Sequence, residues 1–423
     1  MLLVADAKPR RTKKPQRKRR ERVPKKVNVA KIVAFTQRVT PRYCDLGLLL
    51  TVIGLAAFGI LMIYSASHYN ANVYYGQPFY YTWKQLAGLG LGLVGLVMMY
   101  WISYRMVAKW AYVIFGVAVV LLVAVFIPGI SISKLGATRW VGIGGFSIQP
   151  SEIAKFAFVI FAAKIFARPG KVTTDSTSTR LRAPKWWQTL LVLGAGGILC
   201  LLIILEPNMS ITMTVGIIMF VMLYLCGVSW KTLLMIIVPA IGVVALMLVA
   251  EPYRLKRLSA FVDPWANPKG EGFQLIESLY AIANGGFWGV GYGNSIQKYQ
   301  FLPFSESDFI FAIIAEEFGL LGCWLLFAVF GLIIYKSFRI GRQCSDYFGR
   351  YLCYGIGTVI LVQASLNFAV STGCIPPTGL PLPFVSFGGT SLLVFMMAIG
   401  VVLNIDKQNK KRREELLNHF VDK

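Results

Sequence analysis

Residues 301–317 read FLPFSESDFIFAIIAEE and place a carboxylate, Asp308, directly before an apolar run that is typical of a membrane-spanning helix. An ionised carboxylate near hydrocarbon is costly unless water, a cation or another partner lies close to it. Asp308 is therefore a candidate for function. Its simplest structural role is that of a helix N-cap, because Asp is favoured immediately before the first turn of a helix.

Similar apolar runs recur along the whole chain of 423 residues, of which 56% are hydrophobic and only 15% are charged. Soluble domains carry roughly 25% charged residues. The sequence therefore predicts an all-α, polytopic integral membrane protein with ten transmembrane helices and irregular outer-face loops. The predicted spans are 46–66, 85–103, 108–128, 151–167, 187–205, 208–227, 232–250, 309–335, 351–371 and 387–404.

Cysteine and histidine usage argues against several classes of protein. The chain has 7 cysteines, an odd number, and they form no CxxC pair. It has only 2 histidines. A disulfide framework, a zinc site and a Ser-His-Asp triad are therefore not expected.

The net charge of +24 is concentrated at the ends of the chain. Residues 1–42 are predicted to form a disordered basic tail, and residues 407–423 form a second basic tail. The alternative for such a tract is nucleic-acid binding. On a membrane protein, attraction to anionic lipid headgroups is the simpler interpretation. The membrane domain between the tails is predicted to cover residues 43–406.

Basic residues also predict the orientation, because short cytoplasmic loops are enriched in Lys and Arg. With both termini in the cytoplasm, the basic-rich connections fall inside. Four segments then lie outside, and three of them are rich in Gly, Pro and Trp. Irregular backbone at membrane depth is tolerated where it lines a cavity, so we expect a cavity open to the outer face. The outer segments are 67–84, 129–150, 251–308 and 372–386.

Several charged residues fall in or beside these segments. Arg139 is suited to bidentate binding of phosphate or carboxylate, although an interfacial Arg beside Trp140 also fits contact with headgroups. Glu152 and Lys155 are three residues apart, so they share a helix face and are expected to pair.

Two further groups of charges flank the long outer loop. Arg254 and Arg257 share a helix face there and form a basic cluster suited to an anionic, lipid-linked phosphate. Glu316 and Glu317 are expected to face the bundle and to pair with Arg or Lys. The glycine-rich run 285–294 follows no predicted strand, which argues against a nucleotide-binding loop.

Three stretches of this sequence resemble a known family. They read LP at 302–303 followed by DFIFAIIAEE at 308–317, TGLPLPFVSFGGTSL at 378–392, and RW at 139–140 followed by QPSEIAK at 149–155. Together they resemble the SEDS family (shape, elongation, division and sporulation) over residues 43–406. The run GYGNSIQK at 291–298 and the basic N-terminal tail are more similar to the branch that acts in cell division.

The resemblance implies a ten-span peptidoglycan glycosyltransferase of the bacterial cytoplasmic membrane, acting at the division septum. It would polymerise lipid II, the undecaprenyl-pyrophosphate-linked disaccharide-pentapeptide, on the outer face. A class B penicillin-binding protein transpeptidase, other divisome proteins and membrane lipid are the implied partners, and nucleic acid is not among them. The resemblance implies no obligatory cofactor, and a divalent cation (Mg or Mn) is a candidate.

The resemblance places the family's essential carboxylate on Asp308, which we predict to be the general base of an inverting transfer. Two sets of residues are predicted around it. Substrate or pyrophosphate binding is predicted for Arg139, Trp140, Lys155, Arg254, Lys256, Arg257 and Ser386. A supporting role is predicted for Glu152, Pro303, Glu316, Glu317, Pro383, Gly388 and Gly389.

The sequence departs from the family pattern at several positions. Phe304, Glu306 and Ser307 stand where the family has Glu, His and Thr, and Thr378 stands where some division members have Lys. Residues 206–208 read EPN instead of the usual Gln-Pro-Asp. Two other functions remain open at this point: a lipid II flippase, and a non-catalytic scaffold that recruits a transpeptidase.

Overall fold

The computed structural model describes residues 45–134, 137–143, 146–167, 184–249, 252–270 and 272–421. The predicted basic tail 1–42 lies outside these residues. Twelve helices and three strands form the described part of the chain. The helices are Leu46–Tyr75 (α1), Tyr80–Trp101 (α2), Tyr104–Ala124 (α3), Pro150–Phe166 (α4), Trp186–Leu205 (α5), Met209–Leu225 (α6), Trp230–Val249 (α7), Pro252–Val262 (α8), Phe273–Gly285 (α9), Ile310–Gln343 (α10), Tyr347–Ser371 (α11) and Gly389–Val421 (α12).

A helix covers each of the ten predicted spans. Within the described ranges, seven helices are long and apolar enough to cross a membrane. The other three predicted spans are occupied by α4, α6 and α7, so the count of ten remains a prediction. Large apolar side chains such as Val94 and Val120 are 68% and 67% exposed. Such faces are suited to lipid tails, and the protein is a multi-pass membrane protein.

The predicted helical, polytopic fold is confirmed, but the outer segment 129–150 is not an irregular loop. This segment folds into an antiparallel sheet in the order β1-β2-β3, in which Ile132 pairs with Trp140 and Val141 with Ile148. The strands β1 and β3 have only 4 and 3 residues, and β2 (ATRWVGI) has no strict alternation of apolar and polar residues, so the pattern does not indicate strands. The strands are Ser131–Lys134 (β1), Ala137–Ile143 (β2) and Phe146–Ile148 (β3).

The outer segment 251–308 also has more regular structure than predicted, because it contains α8, a short 3₁₀ turn and α9. The expected helix carrying Arg254 and Arg257 is α8. The apolar side chains Leu275 and Ile276 of α9 are buried, so this helix packs onto the bundle. This segment is therefore folded, and its helix α9 packs against α10 and α11.

The helix α10 is broken at Gly319, where φ is +64° and ψ is −163°. The glycine-rich loop after α9 pairs with this break. The amides of Val290 and Gly291 donate to the carbonyls of Glu316 and Glu317, each at 3.0 Å. A Cβ at Gly319 would lie 2.4 Å from the Gly289 nitrogen, so only glycine fits. The first part of α10, residues 310–318, is thus a buried half-helix that begins just after Asp308.

Candidate active site at the outer ends of the helices

Asp308 lies in a turn directly before α10, and it does not cap that helix. The Phe309 amide bonds back to the Phe304 carbonyl at 3.4 Å, and α10 begins at Ile310 with no side-chain cap at its start. The N-cap prediction is therefore wrong. Because of this extra turn, α10 begins beyond the reach of the Asp308 carboxyl group. The carboxyl group therefore does not accept a hydrogen bond from the first turn of the helix.

Asn367 on α11 holds Asp308 against the segment between α11 and α12. Its side-chain amide donates to the Asp308 carbonyl at 2.8 Å and to the Leu380 carbonyl at 2.7 Å. A Cβ at Gly379 would come within 3.1 Å of Oδ2 of Asp308. Two loops that are distant in sequence thus meet at this carboxyl group.

Ser386 fastens the same two loops together. Its Oγ donates to the Ser307 carbonyl at 2.5 Å and accepts from the Leu382 amide at 2.8 Å. The Phe387 amide also donates to the Glu306 carbonyl at 2.9 Å. Ser386 is buried, and protein groups already occupy its hydroxyl. The geometry therefore favours a positioning role for Ser386 over the predicted contact with substrate.

The electrostatic environment of Asp308 is unusual for an aspartate. Burial and the nearby Glu306 carboxylate raise its pKa to about 7, against the opposing effects of the Ser307 hydroxyl, Arg139 and Arg257. Burial also raises the pKa of Glu306. A carboxyl group that titrates near neutral pH is suited to general-base catalysis, because it is both available and basic.

Arg139 lies on β2 and reaches the turn between α5 and α6. Its Nε donates to the Glu206 carbonyl at 3.3 Å, and its Nη2 donates to the Pro207 carbonyl. Trp140, the next residue on the strand, points to the other face of the sheet. The charge of Arg139 lowers the pKa values of both Asp308 and Glu206, so the sheet brings this cation within electrostatic reach of Asp308, and its binding of pyrophosphate stays a prediction.

Lys155 lies below the site, in a buried network. It is 0% exposed, donates to Glu152 at 2.8 Å, and also donates to the side-chain oxygen of Gln363. Gln363 in turn donates to the Pro381 carbonyl at 2.8 Å. The expected pairing of Glu152 with Lys155 is present. Full burial does not fit the predicted contact of Lys155 with pyrophosphate, and the network instead supports the 378–382 loop.

The two glutamates of the half-helix face inward, as predicted, but among the described residues only Glu317 has a cation as its partner. Glu317 pairs with Lys298 at 3.1 Å and accepts from the Ser65 hydroxyl at 2.6 Å. Glu316 instead accepts from Ser295 and from the Ile296 amide at 3.1 Å. Glu316 therefore holds the turn at residues 295–296 through neutral donors. The predicted pairing of Glu316 with Arg or Lys is replaced by these hydrogen bonds.

Of the remaining predicted residues, Arg257 influences Asp308 directly, because its charge lowers the pKa of that carboxyl group. Lys256 and Arg257 are exposed on α8, and the Arg254 side chain lies outside the described residues. Pro303 is partly buried and Pro383 is buried. Gly388 donates its amide to Gln85 at 3.2 Å, and Gly389 begins α12.

Sequence reasoning missed Gln85, Lys298, Gln363 and Asn367. All four are buried, and each bonds across to another segment. Three are single polar residues within helices of this membrane protein, and such residues are costly in hydrocarbon without a partner. That signal could have identified Gln85, Gln363 and Asn367. Lys298 lies in a loop and carries no such signal. No group of three or more His, Cys, Asp or Glu side chains that could hold a metal ion occurs among the described residues.

Comparison with known proteins gives a consistent result. A family profile described as "Cell cycle protein", covering FtsW, RodA and SpoVE, matches residues 46–411. The chain is 40% identical over 364 residues to a probable peptidoglycan glycosyltransferase FtsW of Alcanivorax borkumensis, spanning 85% of this chain and 92% of that protein. It is 35% identical over 377 residues to stage V sporulation protein E of Bacillus subtilis, spanning 89% and 99%.

Solved structures show the same fold. One is described as "Structural coordination of polymerization and crosslinking by a peptidoglycan synthase complex"; it matches with a TM-score of 0.70 and 26% identity, over 86% of this chain and 98% of that chain. The rod shape determining protein RodA of Thermus thermophilus matches with a TM-score of 0.62 and 23% identity, over 86% and 97%. The chain therefore belongs to the FtsW/RodA/SpoVE family.

Proposed function

We propose that this protein is a peptidoglycan glycosyltransferase that polymerises lipid II into glycan strands at the outer face of the bacterial cytoplasmic membrane during cell division. The observation that carries the proposal is Asp308, whose pKa is raised to about 7 beside the cations Arg139 and Arg257. This combines a base with anion-stabilising groups in one opening. Relatives named as probable peptidoglycan glycosyltransferases support the same activity.

The proposed reaction joins two lipid-linked sugars with inversion. The Asp308 carboxylate takes the proton from the 4-hydroxyl of the acceptor sugar. The oxygen then forms a bond to the anomeric carbon of the donor as the bond from that carbon to pyrophosphate breaks. Arg139, Lys256 and Arg257 stabilise the negative charge on the departing undecaprenyl pyrophosphate. Asp308 returns its proton to solvent afterwards.

A Mg or Mn ion remains part of the proposal. The Asp308 and Glu306 carboxylates would supply one or two ligands. Mg is commonly bound by one or two carboxylates together with substrate phosphates and water. Such an ion would neutralise charge on the leaving group.

The distribution of charges supports an enzyme over a lipid II flippase. The helices α1, α5 and α6 carry no charged residue. In the other predicted spans the charged residues lie within about two turns of an end. A path for a pyrophosphate headgroup across the membrane needs polar groups along its whole length. In this protein the polar groups gather at the outer mouth.

The proposal includes a partner and a location. We propose that a class B penicillin-binding protein transpeptidase and other divisome proteins bind this chain at the septum, with both termini in the cytoplasm. The solved relative described as part of a peptidoglycan synthase complex supports such a partnership. The basic-rich connections between the spans support the orientation.

Purified protein in detergent, given lipid II with and without its transpeptidase, tests the proposal. We expect glycan chains from the wild type and none above background from Asp308→Asn. Transport of lipid II in vesicles without polymer would establish a flippase instead. Septal growth in cells that carry only Asp308→Ala would establish a scaffold.

A further inference from the structure

Gly379 lies in the segment between α11 and α12, next to the carboxyl group of Asp308. A Cβ atom at this position would lie 3.1 Å from Oδ2 and 3.9 Å from Cγ of Asp308. Apart from the two residues that adjoin Gly379, no other heavy atom of the described residues lies within 4 Å of that position. Gly379 is exposed and Asp308 is partly exposed. The glycine therefore leaves an open space beside this carboxyl group.

The backbone conformation does not require glycine at this position. Glycine is favoured where φ is positive, as at the nearby Gly373, where φ is +69°. Gly379 is not among the described glycines with positive φ, so a residue with a side chain can adopt its backbone conformation. A second use of glycine is to let the backbone approach a ligand closely. The open space beside Asp308 fits this second use.

Hydrogen bonds fix the segment around Gly379 relative to the Asp308 loop. The Asn367 amide donates to the Leu380 carbonyl at 2.7 Å and to the Asp308 carbonyl at 2.8 Å, so one side chain sets the separation of the two backbones. The next carbonyl in the segment accepts from Gln363 at 2.8 Å. A side chain added at Gly379 would therefore fill the space beside the carboxyl group or push that group aside, because the backbone is held on both sides.

We propose that Gly379 admits the acceptor sugar to Asp308, and that the space beside this glycine holds the sugar hydroxyl from which Asp308 takes the proton. An oxygen that donates to a carboxylate lies about 2.5–3.0 Å from it, and the Cβ position at Gly379 is 3.1 Å from Oδ2. A hydroxyl group and a methyl group cannot share this space. This role rests on the proposed function and assigns to Gly379 control of access to the base.

Gly379→Ala tests this role through the rate of lipid II polymerisation and its dependence on pH. The methyl group should lower the rate at pH 8 about a hundredfold, because it displaces the acceptor hydroxyl from the base. It should also remove water from the Asp308 carboxylate, which disfavours the ionised form and moves the acid limb of the pH–rate profile to higher pH. A loss of folded protein would instead lower the rate equally at every pH.

Gly90→Ala is the matched control. Gly90 is exposed on α2, and a methyl group added there would meet open space. This variant should follow the wild type in rate and in pH dependence. A wild-type rate and an unmoved acid limb in Gly379→Ala would overturn the inference, and so would a lower rate with an unmoved acid limb.

Labelling of Asp308 by a water-soluble carbodiimide and glycine ethyl ester gives a measurement that needs no substrate. Peptide mass spectrometry should show slower labelling of Asp308 in Gly379→Ala than in the wild type, with the exposed Asp263 labelled equally in both. Equal labelling of Asp308 would overturn the inference. If the wild type does not polymerise lipid II, the proposed function fails, whereas the labelling still decides whether Gly379 controls access to Asp308.

Discussion

Two groups of ionisable residues with buried or partly buried side chains differ in whether they form ion pairs. In the half-helix and the network below the site, Glu317 pairs with Lys298 and Glu152 with Lys155. Among the described residues no ion pair forms with Asp308 or with Glu206, and burial raises the pKa values of these two groups to about 7 and about 8.

This difference distinguishes residues that hold segments in place from residues that are suited to proton transfer. A buried ion pair keeps both groups charged and holds segments in place, and it is costly to break. A buried acid without such a partner has a raised pKa, so that it can gain or lose a proton near neutral pH. The paired groups hold the backbone around Gly319 and residues 378–382, whereas Asp308 and the fully buried Glu206 lie at the ends of helices, where neither forms such a pair among the described residues.

The largest expected effect is on activity, in Asp308→Asn. Removing a general base should lower the rate of lipid II polymerisation by about 10²–10⁴-fold. The raised pKa means that ionised Asp308 destabilises the fold, a cost that grows from pH 3.8 to about 7 and is complete above that. The variant should therefore be at least as stable as the wild type in thermal unfolding at pH 8. A lower unfolding temperature of Asp308→Asn than of the wild type would instead assign Asp308 to the residues that stabilise the fold.

Whereas Asp308→Asn should lower activity without lowering stability, Lys298→Met should strongly reduce the stability of the fold. It leaves Glu317 buried without its cation, which costs about 3–5 kcal/mol, measured as a lower unfolding temperature in detergent. The double variant Lys298→Met with Glu317→Gln should recover most of the loss. Lys336→Met is the control, because its pair with Asp45 is partly exposed and such pairs contribute about 1 kcal/mol or less. Equal losses in both single variants would refute the distinction.

The polymerisation rate should depend on pH through Asp308. Below pH 7 the rate should fall about tenfold per pH unit, because the base becomes protonated. Glu306→Gln should shift this acid limb to lower pH, since the Glu306 charge raises the pKa of Asp308. Steady-state rates between pH 5 and pH 8 measure the shift. If the acid limb of the pH–rate profile does not move in Glu306→Gln, a group other than Asp308 controls the rate.

The smallest effect is expected for Ser386→Ala. The variant loses the bond to the Ser307 carbonyl and leaves the buried Leu382 amide without an acceptor, which costs about 1–3 kcal/mol. We expect a lower unfolding temperature and a modest fall in kcat with KM for lipid II unchanged. A raised KM with normal stability would instead indicate that Ser386 binds substrate, as the sequence analysis predicts.

Much of this architecture follows from local sequence. Long apolar runs place the helices, because each must bury its backbone polar groups within the segment. Pro150 begins α4, and Glu152 and Lys155 meet because they are three residues apart on that helix. The short strands of 131–148 escaped prediction because so few residues show alternation.

The sequence by itself determined that this is a multi-pass membrane protein with Asp308 at the start of a span and Arg139 in an outer segment. Only the tertiary structure decided that the two act on one another, that Asn367 and Ser386 hold the Asp308 loop, and that Glu206 has no hydrogen-bond partner among the described residues. The physical reason is that a pKa and an ion pair depend on burial and on neighbours distant along the chain. Helix formation depends on residues within a few turns.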